Sequence, residues 1–534
     1  MSFESAESAH TDLVATLGDL AQLEMLDQLP RGAASWLEVR ADLVGDVDVA
    51  TLRDRFPGEL LYTLRSRAEG GAGENDPALR RSRLERAAEH YDLVDFEIDR
   101  DVDAAHAVPV SRRLLSWHDD PGSSTSSEEL TRQLARVDEV EARFRKLVTA
   151  AREPVDGLVP LELLTRERRR DLTCFALGDS AAWTRLVAPR LGSVFVFGSL
   201  GDSVAPGQFT ALQLVGDYGL PELPPVDAFY GIVGDPVAAS LSPRIHNGAY
   251  RDLGLRAFYL PFRAPAFGDF WLEVVESDLF DWLGAPLRAL SVTAPHKKSA
   301  LAVAGASSPR AQHIDSANTL VLREGVWEAE STDPEGVSYA VARRRPGGGS
   351  RRGETPPAAL VSGAGGAGRA AVVGLQAIGY DVTLSNRSVD RGEQVGRRLG
   401  AQFLPPSAVR ESDYEVLVNA TSLGRSPSDR LPLRPERCRD SALVVDMVYG
   451  AEPTALERAC DEAGIESVGG REVLLMQAVE QFRRMTGVEL PLASAAERLG
   501  LSISADAAAL RRQVAAAAGE GAGERHTDGE GSRR

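Results

Sequence analysis

The sequence predicts an α/β protein in two parts, an N-terminal (β/α)8 barrel and a C-terminal unit carrying a dinucleotide-binding parallel sheet. Three observations lead there. Eight short β-rich runs separated by helix-length segments fill residues 1–218, the alternation that closes into a parallel barrel. Prolines then punctuate residues 219–227, a short stiff linker. Finally, residues 358–369, AALVSGAGGAGR, form an apolar run that breaks into glycines and starts a helix. Gly363, Gly365 and Gly368 fit G-x-G-x-x-G, with Gly366 as an extra glycine. That spacing supplies a tight turn after a strand, close backbone approach to a pyrophosphate and a helix N-terminus facing the anion.

Composition narrows the function classes. A chain of 534 residues is long enough for three or four domains with real cores, and 43% hydrophobic with 26% charged residues describes a soluble globular protein. A net charge of −18 argues against a general nucleic-acid binder, since a phosphate backbone would be repelled. Cys174, Cys438 and Cys460 lie far apart without metal-type spacing, which fits a reducing cytoplasm and no disulfide framework. The opening MSFESAESAHTD lacks the apolar core of a signal peptide, and no run approaches the roughly 18 apolar residues of a membrane span. The expectation is a cytoplasmic protein with small-molecule ligands, no nucleic acid and no membrane; a homodimer is left open.

The barrel strands are expected at 12–18, 35–43, 59–66, 91–99, 112–118, 144–150, 171–178 and 193–199. Chemistry in such a barrel belongs at the C-terminal strand ends. Polar residues collect there: Glu38, Arg40, Arg65, Glu97, His118, Lys146, and Arg185 beyond the seventh strand. In FRKLVTA, Lys146 shares the inward phase with Phe144 and Val148 while Arg145 points outward. An inward lysine is costly unless paired or lowered in pKa, and a neutral amine can attack a ketone to form an iminium. His118 is positioned to act as base and acid, with Glu97 holding its tautomer. Taken singly, each has a plainer reading: a snorkelling lysine, a capped core histidine, a solvated strand end.

Together WLEVRADL (Glu38, Arg40), TLRSRAEGG (Thr63, Arg65, Glu69), VDFEI (Glu97), SWHD (His118), Lys146, Arg185 and FGSLGDSVAPGQ (Ser203, Gln208) resemble type I 3-dehydroquinate dehydratase over residues 12–215. The resemblance implies a Schiff base on Lys146, proton transfers by His118, orientation of His118 by Glu97, and substrate binding by Glu38, Arg40, Arg65, Arg185, Ser203 and Gln208. The iminium serves as the electron sink, so no metal is required.

The second half carries its own ordered motifs. SLSP contains Ser240 and Ser242, SVTAPHKK contains Thr293 and Lys297, SANTL contains Asn318, and STDPEG contains Asp333. VNATSLG contains Asn419 and Thr421, VVDMVYG contains Tyr449, and GREVLLMQAVEQF contains Gly470 and Gln477. In this order they resemble shikimate dehydrogenase over about residues 228–503, apart from Ser331 where the family usually has asparagine. The resemblance implies Lys297 and Asp333 as the catalytic pair. It assigns Ser240, Ser242, Thr293, Asn318, Tyr449 and Gln477 to substrate, and Gly363, Gly365, Gly366, Gly368, Asn419, Thr421 and Gly470 to the cofactor. His246 reads as structural. The strand at residues 381–386 ends in Asn386-Arg387 rather than Asp or Glu, which favours the 2′-phosphate of NADP over NAD.

The expected layout is a dehydratase barrel at 1–218, a linker at 219–227, a substrate lobe at 228–335, a Rossmann NADP lobe at 336–470, returning helices at 471–503 and, at 504–534, a disordered tail that opens on an alanine-rich frayed helix. Arg/Gly/Pro-rich residues 343–357 read as a surface loop. The expected function is dehydration of 3-dehydroquinate followed by NADPH-dependent reduction of 3-dehydroshikimate. The alternatives are a quinate or shikimate dehydrogenase fused to a silent or scaffold barrel, an aldolase-like barrel, or a second half that only binds ligand.

Overall fold

The computed structural model describes residues 11–120, 123–346, 355–426, 429–450, 452–503 and 506–517. Eight parallel strands form the barrel: β1 (Asp12–Leu17), β2 (Trp36–Arg40), β3 (Glu59–Thr63), β4 (Leu93–Glu97), β5 (Arg113–His118), β6 (Phe144–Ala150), β7 (Leu172–Leu177) and β8 (Phe195–Ser199). Their order is β7-β6-β5-β4-β3-β2-β1-β8. At the seam, Val194 N donates to Leu172 O at 3.1 Å and Phe195 N to Thr173 Oγ1 at 3.1 Å. Strands β2, β4 and β8 are buried along their whole length, as expected where helices cover one face and the barrel interior the other.

Aromatic packing fills one end of this barrel. Trp36, Phe144 and Phe195 meet edge to face, with Phe144 and Phe195 centroids 4.8 Å apart, and the Arg143 guanidinium lies 4.9 Å over Phe144. These residues sit at the N-terminal ends of their strands, so open space is left at the C-terminal ends. The side-chain phase in β6 is the one expected from sequence: Lys146 faces inward, while Arg145 pairs outside with Asp138 and Asp171.

The chain forms two compact units, Met1–Arg288 and Ala289–Arg534. The first unit adds to the barrel the parallel pair β9 (Ala228–Gly234) and β10 (Ala257–Arg263), joined through the helix Ser242–Leu253. Residues 219–227 are not a free spacer between them. Leu220 is fully buried, the preceding Tyr218 packs against Phe209 and Phe258, and Arg244 reaches back to Asp217 at 2.6 Å.

In the second unit, β11 (Leu287–Val292) and β13 (Thr319–Arg323) pair antiparallel, as do β13 and β14 (Val326–Glu330), with the short β12 (Ala306–Ser307) parallel to β14. Six parallel strands follow: β15 (Ala358–Ser362), β16 (Asp381–Ser385), β17 (Gln402–Leu404), β18 (Val416–Asn419), β19 (Leu443–Asp446) and β20 (Glu466–Val468). Their order is β17-β16-β15-β18-β19-β20. The winding direction reverses between β15 and β18, and the C-terminal ends of those strands frame the crevice where such sheets bind ligands.

Two sequence expectations take a definite form. The tail is helical over Ala507–Ala517: Leu510 is 2% exposed and Gln513 Nε2 donates to Ala342 O at 2.8 Å. An alanine-rich segment forms a helix readily once one apolar face has a surface to cover, and the helix Asp333–Arg344 provides it. Residues 518–534 lie outside the described residues. Within the Arg/Gly/Pro stretch, Arg343 pairs with Glu472 and Arg345 with Glu466, so these arginines finish a helix rather than form a free basic patch; residues 347–354 lie outside the described residues. Leu510→Asp should lower the urea midpoint of the second unit by the equivalent of about 2–4 kcal/mol, read by circular dichroism.

Candidate active sites

A cavity of about 240 Å³ opens at the C-terminal ends of the barrel strands, lined by Glu38, Arg40, Arg65, Glu69, His118, Lys146, Arg185 and Gln208 among others. Its floor is Lys146, 6% exposed, with Nζ 4.1 Å from the Phe197 ring centroid. Arg185 is 4% exposed, lies over Phe175 at 4.2 Å, and has no hydrogen-bond partner for Nε among the described residues. Glu38 accepts from Thr16 and Thr63 hydroxyls, each at 2.8 Å, and Arg40 forks onto Asp42 at 2.7–2.8 Å.

The partner of His118 differs from the sequence expectation. Its Nδ1 lies 2.8 Å from Glu69 Oε2. Glu97 instead accepts from Ser66 N at 2.7 Å and from Arg100 Nε at 3.0 Å. The reason is geometric: the turn after β3 brings Glu69 over the cavity, whereas Glu97 at the end of β4 is enclosed by the Arg65, Arg80 and Arg100 guanidiniums. Arg65 ties the two carboxylates together, reaching Glu69 at 2.7 Å, Ser116 at 3.0 Å and Glu97 at 3.3 Å. Ser203 also departs from expectation. Its hydroxyl donates to Ala205 O within its own loop, and it does not line the cavity, although Gln208 does.

Burial governs the charge states here. It pushes the Lys146 amine down to about 8, with Arg65 and Arg40 adding to the effect. Burial also drives His118 well below its usual range, helped by Arg65 and Lys146, and it raises the Glu69 carboxyl to about 8 with help from Glu97 and Asp95. A neutral imidazole beside an amine that sheds its proton near neutrality is a base next to a nucleophile.

In the second unit the helix Asp333–Arg344 begins with the aspartate itself. Lys297 pairs with Asp333. Asn318 Nδ2 donates to Asp333 Oδ1 at 2.8 Å and to Thr332 Oγ1 at 3.0 Å, and Gln477 Nε2 donates to Thr332 Oγ1 at 2.8 Å. Lys297, Asp333, Asn318 and Gln477 thus form one hydrogen-bonded set around Thr332, a residue that sequence reasoning passed over. Thr293 opens the turn before Lys297, with its carbonyl accepting from His296 N at 3.0 Å. Tyr449 follows β19 and is half-buried. In the first unit, Ser240 Oγ accepts from Ser242 N at 3.2 Å, a helix-start contact, and His246 is fully buried, stacked 4.4 Å from Tyr259.

The glycine loop has the predicted geometry. Gly363 sits at φ 116°, and a Cβ on Gly368 would fall 1.8 Å from Gly363 O. Neither position tolerates a side chain. A Cβ on Gly366 would stand 3.7 Å from Lys297 Cδ, so the loop abuts Lys297. Beside it lies a crevice of about 760 Å³ lined by Gly363–Gly365, Asn386, Arg387, Arg391, Thr421 and Arg430 among others. Asn386 Oδ1 accepts from Ala364 N at 3.1 Å, bracing the loop, while the Arg387 side chain is exposed on the wall. Asn419 is not on that wall: fully buried, it donates to Asp446 at 2.8 Å and accepts from Thr421, shaping the loop from behind. Gly470 starts the helix Gly470–Thr486 against Val448 O, also outside the crevice. Arg391, one helical turn beyond Arg387, was legible as a second cation after the strand.

Residues 18–222 match the type I 3-dehydroquinase family and residues 232–320 the shikimate dehydrogenase substrate binding domain. A shikimate dehydrogenase (NADP(+)) of Natronomonas pharaonis is 34% identical over 277 residues, covering 51% of this chain and 99% of that protein. The chain belongs to the shikimate dehydrogenase family and carries a type I 3-dehydroquinase domain at residues 18–222. A chloroplastic bifunctional 3-dehydroquinate dehydratase/shikimate dehydrogenase of Arabidopsis thaliana is 28% identical over 482 residues, 86% of this chain and 78% of that protein. The solved dehydroquinate dehydratase and shikimate dehydrogenase of S. pombe AroM covers 93% of this chain and 99% of its own, at 21% identity and a TM-score of 0.42. The 3-dehydroquinase portion holds the Lys146 cavity, and the shikimate dehydrogenase portion holds the Lys297–Asp333 set and the crevice.

Two outcomes follow from this geometry. Because only the unprotonated amine attacks a ketone, dehydratase kcat/KM should rise about tenfold per pH unit and level off near pH 8, where Lys146 loses its proton; a flat profile below that pH would count against an unprotonated Lys146. Gly368→Ala should raise the NADPH dissociation constant more than tenfold by forcing the loop open, measured by fluorescence titration, with dehydratase turnover intact.

Proposed function

We propose that this chain dehydrates 3-dehydroquinate to 3-dehydroshikimate in its barrel and reduces that product to shikimate with NADPH in its second half, as a bifunctional shikimate-pathway enzyme. The observation that carries the barrel assignment is Lys146, buried on the cavity floor with its amine down to about 8, beside His118. The amine attacks the substrate ketone and, with loss of water, forms an iminium. His118 then takes the proton from the neighbouring carbon and the electron pair flows into the iminium; the pair returns to expel the hydroxyl, which the same imidazole protonates, and water hydrolyses the iminium to release 3-dehydroshikimate and the Lys146 amine. Glu69 is assigned the orienting role first given to Glu97. The Arg185 guanidinium, whose Nε has no hydrogen-bond partner among the described residues, suits the substrate carboxylate.

In the second half, Lys297 is the proton donor to the oxygen that gains charge during reduction, and Asp333 holds the lysine in place through their ion pair. Asn318 and Gln477 hold substrate hydroxyls; Ser240 and Ser242 are assigned to its carboxylate through the family resemblance. The crevice fits a dinucleotide: a loop with no room for a Cβ at Gly368, a helix N-terminus and exposed Arg387 and Arg391. NADPH, when bound, supplies hydride to the ketone carbon. Arg387 and Arg391 would hold its 2′-phosphate, and the strand end offers no carboxylate for the ribose diol of NAD. These cations favour NADP over the quinate and NAD alternative. Three free cysteines are in keeping with a reducing, cytoplasmic setting.

The test is one coupled assay of the full chain, with 3-dehydroquinate and NADPH followed by loss of nicotinamide absorbance, and with 3-dehydroshikimate in parallel. Oxidation from both substrates is expected; activity from 3-dehydroshikimate alone would make the barrel a scaffold. Lys146→Ala should abolish the first reaction by at least about 10³-fold and leave the second untouched, and borohydride with 3-dehydroquinate should trap label on the wild-type barrel only. Lys297→Ala should slow reduction by about 10²–10⁴-fold with NADPH affinity little changed.

A further inference from the structure

Asp315 stands out for two independent reasons. It is one of three described non-glycine residues with a positive φ, at φ 58° and ψ 42° after the helix Pro309–Ile314, a conformation that glycine adopts more readily. It is also where the glycine-loop helix, Gly366–Ala377, is tied down. Arg369 Nη1 lies 3.3 Å from Asp315 Oδ2, and Arg369 Nη2 donates to Asp315 O at 3.2 Å. Lys298 Nζ and Arg398 Nη1 stand 3.5 and 3.8 Å from the same carboxylate oxygen. Arg398, from the helix Val389–Leu399, further donates to His313 O at 2.9 Å and Gln312 O at 2.6 Å. Both helices that flank the nucleotide crevice therefore dock on the C-terminal end of one short helix.

The next three residues lead straight to the catalytic set. Ser316 Oγ lies 3.2 Å from where a Cβ on Gly366 would be, Ala317 N donates to Lys297 O at 2.9 Å, and Asn318 holds Asp333 at 2.8 Å. One tetrapeptide thus touches the glycine loop, the lysine and the aspartate in turn. We propose that Asp315 is a positioning residue for hydride transfer, clamping Arg369 so that the cofactor loop is held in register with Lys297 and Asp333.

The clamp differs from an ordinary surface pair. Arg369 is largely buried and its Nε has no hydrogen-bond partner among the described residues, so removing the Asp315 charge strands a buried cation. Lys298 and Arg398 are more exposed and contribute little by themselves. A pure helix-terminus role makes a different demand: asparagine or glycine would serve it as well as aspartate. The proposal rests on the reductase reading above, and the experiment separates the two.

In the full chain, kcat and KM for NADPH in 3-dehydroshikimate reduction are measured for wild type, Asp315→Asn, Arg369→Gln and the double variant, with the isotope effect from deuterated NADPH. Turnover of 3-dehydroquinate reports folding. The clamp requires kcat to fall about tenfold or more in each single variant and no further in the double, the scale a small misplacement of reacting groups produces. It also requires the isotope effect on kcat to rise and dehydration to stay within twofold. Asp315→Gly, which meets the backbone demand without the charge, should behave like Asp315→Asn and replaces it if that variant folds poorly. A kcat within twofold of wild type, losses that multiply in the double variant, a change confined to KM, or a parallel loss of dehydration would each overturn the clamp. Wild type failing to reduce 3-dehydroshikimate would overturn the functional reading instead.

Discussion

Keeping ionised side chains out of water, each against a partner, is the constraint that both halves of this chain are built to meet. A buried charge is costly unless paired, and an amine that is buried and only partly paired gives up its proton more easily. The barrel uses that second outcome. Arg65 is surrounded by Glu69, Asp95 and Glu97 and stays charged, whereas Lys146 rests on a phenylalanine ring, with no carboxylate in ion-pair contact among the described residues, and drops to about 8. The different charge behaviour of these closely spaced cations comes from an uneven distribution of partners.

The second half uses the first outcome. Lys297 is given Asp333, and Asp333 is given Asn318, so each charged group meets a partner. What holds Asp333 in place is backbone packing. A Cβ on Gly374 would fall 2.4 Å from Pro334 O, and one on Gly336 would fall 3.0 Å from Val473 O. The helix carrying Asp333 is thus wedged between the glycine-loop helix and the helix Gly470–Thr486. Close approach of this kind is short-range and stiff, which suits a site whose reacting groups tolerate little displacement.

The limits of sequence reading fall at particular residues. Lys146 was legible because strand periodicity is strict: with Phe144 and Val148 inward, the lysine between them faces inward too. The glycine loop was legible because its steric demand admits no other residue at Gly368. Glu97 looked like the partner of His118 because both end strands of the same barrel, yet Glu69, on an irregular turn, has the contact. Ser203 and Asn419 belong to the right loops but turn into those loops' own hydrogen bonds. Composition read the tail as a frayed alanine-rich helix running into disorder, and what composition does not give is the surface, far away in the sequence, on which the helix Ala507–Ala517 docks.

By itself the sequence determined what depends on local rules: eight barrel strands and a dinucleotide sheet, the inward phase of Lys146, the glycine turn, and which side chains are present to do the chemistry. Only the tertiary structure decided which of those side chains meet. Hydrogen-bond partnership depends on distances of a few tenths of an ångström between segments tens of residues apart, and loop backbones, which have no repeating period, set those distances.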